Sequence, residues 1–451
     1  MRKKLVTLIS LPSPFLVEPA MNPGLGLCYI GAALKANGNK VNAIDYATMD
    51  YDYSKKDYLN EIDTSSDVYG IYCTSAQFRF LKEVARHLKV VNPYAMIVLG
   101  GPQASSQPRE SLEGSQVDVV VNGEGEEAMV ALVNGEDPFD VPGACFYDKV
   151  SKTYIIKERT YIKALDNLAS PDFSIFDMTK YKRKLKGDRA FHITTLRGCP
   201  YRCHFCDSKV VGNTVRYFSV EKVMGEIDHI IETYGVKNFV IYDDIFTLKK
   251  SRVKEFCAEF KKRDIQWRCW SRADLLREED LILMRQSGLE SVAMGVESGD
   301  STILKNINKK TTVEDNRRAL LLCKKLGVAV RCSLMFGNPG ECQESLDNTV
   351  ELIRETQPDE WNIAILNPSP GSEFWDNPEE HGLHFDREEI IRDSYQEINR
   401  TSDTGMGNIV YSLDSIPDAD LRSALKDFVD KLEEVCPRTK IRDTIQNIKI
   451  K

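Results

Sequence analysis

The sequence lacks any apolar run approaching the ~20 residues that cross a bilayer, so no transmembrane helix is expected. A convincing secretion signal is also missing. The opening stretch MRKKLVTLIS is charged and then apolar, but Pro12 and Pro14 break the run and no small-residue cleavage site follows, which favours a first β-strand. We therefore expect a soluble, cytoplasmic protein whose twelve cysteines are reduced thiols or metal ligands rather than disulfides.

An excess of positive charge is missing as well, because the formal net charge is −8. Proteins that bind a nucleic-acid backbone usually present a broad basic surface, so the composition disfavours a nucleic-acid partner. The basic tail, residues 436–451, is the exception and is interpreted as solvated surface. Internal repeats and low-complexity segments are absent. A chain of 451 residues, 42% of them hydrophobic, is long enough for about two to three domains with sizeable cores.

Residues 1–148 alternate short apolar runs with amphipathic stretches, among them KLVTLIS, GLCYIGAALKANGN, KVNAIDYA and VYGIYCTS. Strands that alternate with helices predict a parallel sheet covered on both faces. We therefore predict that residues 1–148 form an α/β domain with a Rossmann-like parallel sheet.

The glycines of this domain do not form the motif GxGxxG after the first strand, so a nicotinamide or flavin site is poorly supported. They follow two later strands instead, at the carboxyl ends where such a sheet binds ligands. The plain alternative is that they only make tight turns. Together with two hydroxyls after a third strand, they outline a candidate ligand crevice of Thr74, Ser75, Gly100, Gly101, Gly123 and Gly125.

Residues 149–190 have no sustained hydrophobic period and are interpreted as a linker. Over residues 191–375 the alternation of strands and helices resumes for six βα units. This predicts a partial (βα)6 barrel of TIM type, with its chemistry at the C-terminal ends of the strands. Residues 376–451 are polar and partly helical. We expect them to form a small C-terminal extension that covers the substrate.

Three cysteines lie within eight positions of the stretch TLRGCPYRCHFCDS, which directly follows the first strand of the second half. Structural zinc sites and ordinary [4Fe–4S] clusters use four protein ligands. Cys199, Cys203 and Cys206 could hold three irons of a [4Fe–4S] cluster and leave the fourth iron open. The alternatives are chance clustering or a zinc site that borrows a distant ligand, for which His204 lies in the loop, but no second half of a zinc motif follows.

This loop resembles the signature of the radical S-adenosylmethionine (SAM) enzymes, CxxxCxΦC with an aromatic Φ. Cys199, Cys203, Phe205 and Cys206 match it, and the resemblance extends over about residues 190–375. It implies that SAM chelates the open iron through its amino and carboxylate groups. An electron delivered through the cluster then cleaves SAM to methionine and a 5′-deoxyadenosyl radical.

The resemblance also implies roles for residues at the other strand ends. Asp243 and Asp244 would meet the SAM ammonium group, although one of them could instead cap the next helix. Glu297 suits the ribose hydroxyls or the methionine part of SAM. Arg272 could clamp a carboxylate, with a surface salt bridge as the alternative. The stretch FGNPGE resembles the glycine motif beside the adenine and contributes Gly337, Pro339 and Gly340.

The order of a Rossmann-like domain, a linker and this barrel resembles the radical SAM subfamily with a cobalamin (B12)-binding domain. The matching stretches are GLGLCYIGAALKANGNKV, VLGGPQAS, VDVVVNGEGEEA and LDNLASPDF. The chain has no DxHxxG motif, and its only histidine before the linker is His87, in a predicted amphipathic helix. The resemblance therefore implies base-off cobalamin without a histidine ligand. The residues carried over for cobalamin are Thr74, Ser75, Gly100, Gly101, Gln103, Gly123, Glu124 and Gly125, of which Gln103 stands where relatives often have histidine.

The activity implied by this resemblance is cobalamin-dependent C-methylation of an unactivated carbon, in which one SAM methylates the cobalt and a second makes the radical. Cobalamin-dependent or cobalamin-free rearrangement or ring formation is the alternative. A non-catalytic corrinoid or iron–sulfur carrier is disfavoured, because a carrier would not need SAM motifs at five strand ends. The expected partners are a small-molecule or peptide substrate and an electron donor such as flavodoxin or ferredoxin.

Overall fold

The computed structural model describes residues 3–437 except Phe15, Val17, Ser54, Ser208, Lys209, Val211 and 392–408. These residues divide into two compact units. The first unit contains the described residues up to Lys182 together with Val210 and Gly212, and the second contains the remainder. None of the helices in the described part of the chain is both long and apolar enough to cross a membrane.

The first unit alternates strands and helices along the chain. Its elements are β1 (Leu5–Ser10), α1 (Leu25–Ala36), β2 (Lys40–Asp45), β3 (Val68–Tyr72), α2 (Phe78–Val91), β4 (Met96–Gly100), α3 (Pro102–Ser106), α4 (Pro108–Glu113), β5 (Val119–Val121), α5 (Glu126–Asn134), β6 (Ala144–Asp148) and β7 (Thr153–Ile155).

These strands form one sheet of seven in the order β2-β1-β3-β4-β5-β6-β7. The pairs from β2 to β5 are parallel, as expected. The last two pairs are antiparallel. For β6 and β7 the reason is the short turn that joins them, since such a turn cannot connect parallel strands. The predicted Rossmann-like parallel sheet is confirmed, and it has two antiparallel strands added at this edge.

Helices cover both faces of the first sheet. On one face, Phe80, Leu81 and Val84 of α2 pack into a core cluster with Tyr69 and Ile71 of β3. On the other face, a Cβ added at Gly70 of β3 would meet the side chains of Leu8 and Met129 at 2.9 Å each. A strand buried on both faces explains the near-continuous apolar sequences of β3 to β5.

The second unit repeats the alternation with longer helices. Its elements are β8 (Lys184–Leu185), β9 (Asp188–Ile193), β10 (Leu196–Arg197), β11 (Arg216–Tyr217), α6 (Val220–Tyr234), β12 (Asn238–Ile241), α7 (Lys250–Arg263), β13 (Gln266–Ser271), α8 (Glu278–Gln286), β14 (Leu289–Glu297), α9 (Ser301–Asn306), α10 (Val313–Leu326), β15 (Ala329–Phe336), α11 (Gln343–Thr356), β16 (Glu360–Ile365), α12 (Glu373–Asp376), β17 (Leu383–His384), α13 (Arg387–Glu389), β18 (Ser412–Leu413) and α14 (Asp418–Val435).

Six parallel strands of this unit, β9 and β12 to β16, lie in chain order in one sheet, with β8 added antiparallel at the edge. Along these strands, buried residues alternate with half-buried ones. On β13, Trp267, Cys269 and Ser271 are buried, whereas Gln266, Arg268 and Trp270 are half-buried. The sheet curls into a half barrel, so the α/β fold class with a partial (βα)6 barrel is confirmed.

The C-terminal helix α14 packs against α11, on the outer layer of the half barrel. The indole nitrogen of Trp361 donates a buried hydrogen bond of 2.7 Å to the carbonyl of Cys436. The rings of Phe336 and Phe428 stack with centroids 6.3 Å apart. The covering of substrate by residues 376–451 stays a prediction, and the part at 392–408 and 438–451 lies outside the described residues.

Candidate active site

The cysteine loop leaves the sheet at the end of β9 and passes through the two-stranded ribbon of β10 and β11. Within the loop, the amide of Cys206 donates to the carbonyl of Cys203 at 3.1 Å. The amide of His204 donates to the carbonyl of Ile307 at 3.0 Å, which ties the loop to the segment after α9. Cys199, Cys203 and Cys206 are all half-buried, and none of the three is in a disulfide with a described residue. The fold thus presents three accessible thiols on a loop held by backbone contacts.

Among the described residues, no three His, Cys, Asp or Glu side chains form a group that could hold a single metal ion. A [4Fe–4S] cluster needs a different ligand geometry. Each thiolate binds a separate iron, so the three sulfurs need not converge on one point. The donor set of three accessible thiols therefore fits such a cluster in its chemistry.

Two cations lie beside the Cys203 thiol. Burial raises the pKa of this thiol, and the charges of Lys309 and Arg272 oppose that rise. Burial also raises the pKa of Cys199. The negative charge of Asp244 raises this pKa as well, and the positive charge of Arg272 lowers it. A thiol must lose its proton to bind iron, so the two cations favour the ligating form at the centre of the loop.

Arg272 is buried at the end of β13 and is not in a surface salt bridge. Its Nε donates to Asp274 Oδ1 at 3.0 Å and its Nη2 donates to the carbonyl of Lys309 at 2.7 Å. Its guanidinium lies over the ring of Tyr201, 3.6 Å from the centroid. These contacts hold the charge rigidly next to the cysteine loop, which agrees better with a functional role than with a solvated one.

Asp243 and Asp244 diverge at the end of β12. The carboxylate of Asp243 is fully buried and accepts four hydrogen bonds from residues 194–196, with donor distances of 2.5 to 3.2 Å. Burial raises its pKa to about 6. The side chain of Asp244 is exposed and lies near Cys199 and Asp207. Asp243 therefore ties the start of the cysteine loop to β12, and Asp244 is the carboxylate that remains accessible.

Glu297 ends β14 with a φ of +63°, which is unusual for a residue other than glycine. Its Oε1 accepts a hydrogen bond of 2.7 Å from Lys309 Nζ, and both side chains are largely buried. Lys309 Nζ also lies 5.8 Å from the ring centroid of Phe205 in the cysteine loop. Glu297 and Lys309 thus form an ion pair directly beside the loop.

The stretch after β15 folds back on itself. Glu341 is fully buried, accepts hydrogen bonds of 2.7 Å from the amide of Gly337 and from Asn338 Nδ2, and has a pKa raised by burial to about 7. Gly337 has a φ of +83°, and a Cβ there would overlap the hydroxyl of Tyr411.

The carbonyl of Pro339 accepts a hydrogen bond of 2.9 Å from Asn306 Nδ2, and a Cβ at Gly340 would meet the same amide at 2.5 Å. Both glycines therefore permit close contacts within the protein.

In the first unit, the crevice predicted at the carboxyl ends of β3 and β4 is formed partly by open backbone. Thr74 and Ser75 are half-buried. A Cβ added at Gly100 would meet no atom within 4 Å, whereas one at Gly101 would approach the Cys73 carbonyl at 2.9 Å. Gln103 is fully buried. Its Nε2 donates to Gln107 Oε1 at 3.1 Å, and its Oε1 has no hydrogen-bond partner among the described residues.

The residues after β5 contact another part of the same unit. Gly123 pairs with Thr160 through the backbone, and a Cβ at Gly123 would overlap the carbonyl of Thr160. Glu124 Oε2 accepts a hydrogen bond of 2.5 Å from the amide of Ile162. Gly125 precedes the first turn of α5. Gly123 and Glu124 thus fix residues 160–162 in the fold, whereas the open backbone at β3 and β4 and the orphan Gln103 oxygen fit a polar ligand such as cobalamin.

Sequence reasoning did not single out Lys309, Tyr411 or Thr160. Lys309 belongs to the polar run NINKKTT, which resembles solvated surface, and no local pattern shows that its ammonium reaches Glu297. Tyr411 and Thr160 lie in segments without periodicity. Only the tertiary fold brings these side chains to the strand ends.

Comparison with known protein families agrees with this arrangement. The model of the Radical SAM superfamily matches residues 193–353, and the model of the B12 binding domain matches residues 20–133. The first match contains the cysteine loop and the ends of β12 to β15, and the second contains the candidate crevice.

Individual relatives match most of the chain. An uncharacterized methyltransferase of Pyrococcus horikoshii is 30% identical over 363 residues, which are 78% of each chain. The anaerobic magnesium-protoporphyrin IX monomethyl ester cyclase of Rubrivivax gelatinosus is 30% identical over 366 residues, 78% of this chain and 66% of the relative. The radical SAM methyltransferase TsrM of Kitasatospora setae, solved with cobalamin and a [4Fe-4S] cluster, shares the fold with a TM-score of 0.74 at 17% identity, over 96% of this chain and 92% of that one. With its cysteine loop, its half barrel and its B12-binding domain, this chain belongs to the family of radical SAM enzymes that carry a cobalamin-binding domain.

Proposed function

We propose that this enzyme methylates an unactivated carbon of a small molecule or peptide in a cobalamin-dependent reaction. The observation that carries the proposal is the cysteine loop with Arg272 and Lys309 at Cys203, in a chain that also has a B12-binding domain. A carbon of this kind is not nucleophilic, so it must first be activated by removal of a hydrogen atom. When bound, the cluster and SAM supply a 5′-deoxyadenosyl radical for that purpose and cobalamin supplies the methyl group.

The cysteine loop is assigned as the site of the [4Fe–4S] cluster, with Cys199, Cys203 and Cys206 each binding one iron. Lys309 and Arg272 offset the negative charge that three thiolates bring together. Phe205 separates two of these ligands and meets Lys309 through its ring. The residues of the loop thus hold the metal group, and the two cations beside it balance its charge.

For SAM, the contacts favour Asp244 over Asp243 as the acceptor for the ammonium group, since Asp243 is occupied by the loop. Glu297 leaves Oε2 for a ribose hydroxyl while Oε1 accepts from Lys309. Gly337, Pro339 and Gly340 are proposed to border the adenine with their backbone.

For cobalamin, we assign Thr74, Ser75, Gly100, Gly101 and Gln103 to direct contacts, with residues 1–148 as the domain that carries them. The orphan oxygen of Gln103 would accept a hydrogen bond from an amide of the cofactor or from an ordered water. Gly123 and Glu124 shape the neighbouring strand end, that of β5, by holding residues 160–162, and Gly125 is assigned to the cofactor with them.

The cluster assignment is tested with Cys203→Ala, purified anaerobically from cells supplied with cobalamin. We expect loss of 5′-deoxyadenosine formation and a lower iron content, with corrin retained. Cys342→Ser is the matched control, because Cys342 is the exposed cysteine outside the loop among the described residues. Retained 5′-deoxyadenosine formation in Cys203→Ala would contradict the assignment.

The methyl step is tested with SAM that carries a deuterated methyl group. Transfer of the label to a product, together with about one corrin per chain in its base-off form, supports methylation. Ring formation is the second candidate, because one of the relatives at 30% identity is named as a cyclase. It predicts a product that has lost hydrogen and gained no labelled methyl group. Iron without corrin, even after reconstitution, would exclude cobalamin-dependent methylation.

A further inference from the structure

The concave face of the half-barrel sheet carries a group of charged side chains far from the cysteine loop. Arg268 and Trp270 of β13 and Arg331 of β15 point to this face, because the residues between them are buried in the opposite core. These side chains line a cavity of about 210 Å³ near the N-terminal ends of the strands. The cavity belongs entirely to the second unit, and nothing proposed above uses it.

Positive charge exceeds negative charge in the cavity wall. Among its described lining residues, the cations Lys186, Arg268 and Arg331 face the two carboxylates Glu290 and Glu360. Lys186 pairs with Glu290 at 2.5 Å, and Arg331 lies 3.4 Å from Glu360. Among these three lining cations, Arg268 is the one that forms no ion pair with a carboxylate of the wall.

Arg268 is held in a position that is unfavourable for a structural arginine. Its Nε is buried and has no hydrogen-bond partner among the described residues. Burial is the main cause that lowers its pKa to about 10; the neighbouring guanidinium groups of Arg183 and Arg331 act in the same direction, and Tyr242 and Glu360 oppose them. Leaving a buried donor unsatisfied beside two like charges costs stability. Such an arrangement is expected where an anionic ligand completes the site.

Trp270 is the aromatic residue of the wall next to Arg268, and Tyr242 packs on it. The Arg268 guanidinium lies 5.4 Å from the centroid of Trp270, and the ring of Tyr242 lies 4.9 Å from the same centroid. Tyr242 Oη also accepts a hydrogen bond of 2.9 Å from Arg183. Aromatic rings beside guanidinium groups suit a planar or apolar part attached to an oxyanion.

Small side chains connect this site with the strand ends. Ser291 and Ala293 follow one another on the concave face of β14. Beyond them the ion pair of Glu297 and Lys309 covers Gly295, and Glu297 ends the same strand beside the cysteine loop. At about 3.3 Å per residue, Ala293 lies ~13 Å from Glu297 along the strand. A ligand anchored at Arg268 could therefore extend over these small residues toward the loop.

We propose that this cavity binds the oxyanion of the substrate, a carboxylate or a phosphate, through Arg268 and Arg331. The inference rests on the function proposed above and deepens it by giving the substrate class. The substrate carries an anionic group next to a planar or apolar part, and its reacting carbon lies on the order of 10 Å from that group. Arg268 and Arg331 are binding residues, and they take no part in the cleavage of SAM.

The test measures binding of inorganic phosphate and of benzoate to the cofactor-loaded full-length enzyme by isothermal titration calorimetry. We expect at least one of the two probes to bind, and its identity distinguishes a phosphate from a carboxylate. Arg268→Gln and Arg331→Gln should each weaken that binding about tenfold or more, as expected for loss of a charge-assisted hydrogen bond. Arg268→Lys should retain part of it. Arg317→Gln, which removes a surface arginine paired with Glu355, is the matched control and should bind as the wild type does.

The melting temperature is a second measurement, and it distinguishes a binding role of Arg268 from a structural one. Because Arg268 has a buried unpaired donor, Arg268→Gln should leave the melting temperature unchanged or raise it. A fall in melting temperature together with unchanged anion binding would identify a structural residue and overturn the proposal. Loss of corrin from Arg268→Gln would assign the site to the cofactor and would also overturn it.

The two proposals fail in different ways. Wild-type enzyme that forms 5′-deoxyadenosine but binds neither probe refutes the anion site and leaves the radical chemistry standing. Enzyme that binds a probe through Arg268 but never forms 5′-deoxyadenosine refutes the proposed function alone.

Discussion

Asp243 and Asp244 are neighbours in the chain, yet the strand end gives them opposite surroundings. Asp243 is buried and accepts four hydrogen bonds from residues 194–196, whereas Asp244 stays exposed near Cys199. Successive residues at the end of a strand point to opposite sides, so a pair of adjacent carboxylates divides between two tasks. Asp243 holds the loop, and the task proposed for Asp244 is to bind SAM.

This division predicts different effects of two isosteric substitutions. Asp243→Asn places an amide donor against hydrogen-bond donors, so we expect a loss of about 1–3 kcal/mol in stability and a lower iron content. Asp244→Asn should keep the stability and the iron content but weaken SAM binding about tenfold. Melting temperature, iron analysis and SAM binding distinguish the two. Equal effects of both variants on SAM binding, without a change in iron, would contradict the division.

Glu341 makes the stability of the second unit depend on pH. Burial raises its pKa from an ordinary value of 4.5 to about 7. Between these values the folded chain keeps a proton that the unfolded chain has released, so the free energy of unfolding falls as pH rises through this window.

Glu341→Gln removes this titration while keeping the side-chain shape. We expect the melting temperature of the wild type relative to the variant to be higher at pH 5 than at pH 8, because the wild type loses stability over that interval. Thermal unfolding of both proteins at the two pH values checks this. A difference that stays constant with pH would show that Glu341 ionises as an exposed carboxylate does.

At the scale of the element, helix α14 buries one face against the half barrel. Its Phe428 is buried and stacks on Phe336, the last residue of β15. Lys431 pairs with Asp347 of α11 at 2.5 Å, and the carbonyl of Cys436 accepts from Trp361. The helix therefore supports the strand from which the glycine motif of residues 337–340 begins.

Phe428→Ala should therefore lower the free energy of unfolding by roughly 3–5 kcal/mol, as for other buried phenylalanines. Phe139→Ala, which truncates a half-exposed ring of the first unit, is the control and should cost clearly less. Chemical denaturation followed by circular dichroism measures both. If the two substitutions cost the same, α14 is not part of the core.

At the scale of the whole molecule, the two units have separate sheets and separate cores. Each family model falls within one of them, the B12 binding domain in the first and the Radical SAM superfamily in the second, apart from residues near the loop. This separation is the reason for expecting Cys203→Ala to lose iron and keep corrin. Simultaneous loss of both from that variant would indicate that the units do not fold independently.

Much of the fold follows from local pattern. Hydrophobic periodicity located the strands and helices of both units, because burial of one face imposes a period of two on strands and about 3.6 on helices. The pattern did not reveal that β6 and β7 turn antiparallel, nor that β9 begins at Asp188 rather than Phe191. Pairing direction depends on the length of a connection and on which edge is free, which periodicity does not encode.

The sequence by itself determined the chemistry of the cysteine loop, because the spacing of Cys199, Cys203 and Cys206 and the strand before them are local properties of the chain. Only the tertiary structure decided which charges surround that loop. Lys309 and Arg272 reach it from segments more than sixty residues away. Arg268 and Arg331 meet across the concave face for the same reason, since parallel strands align residues that long crossover connections separate in sequence.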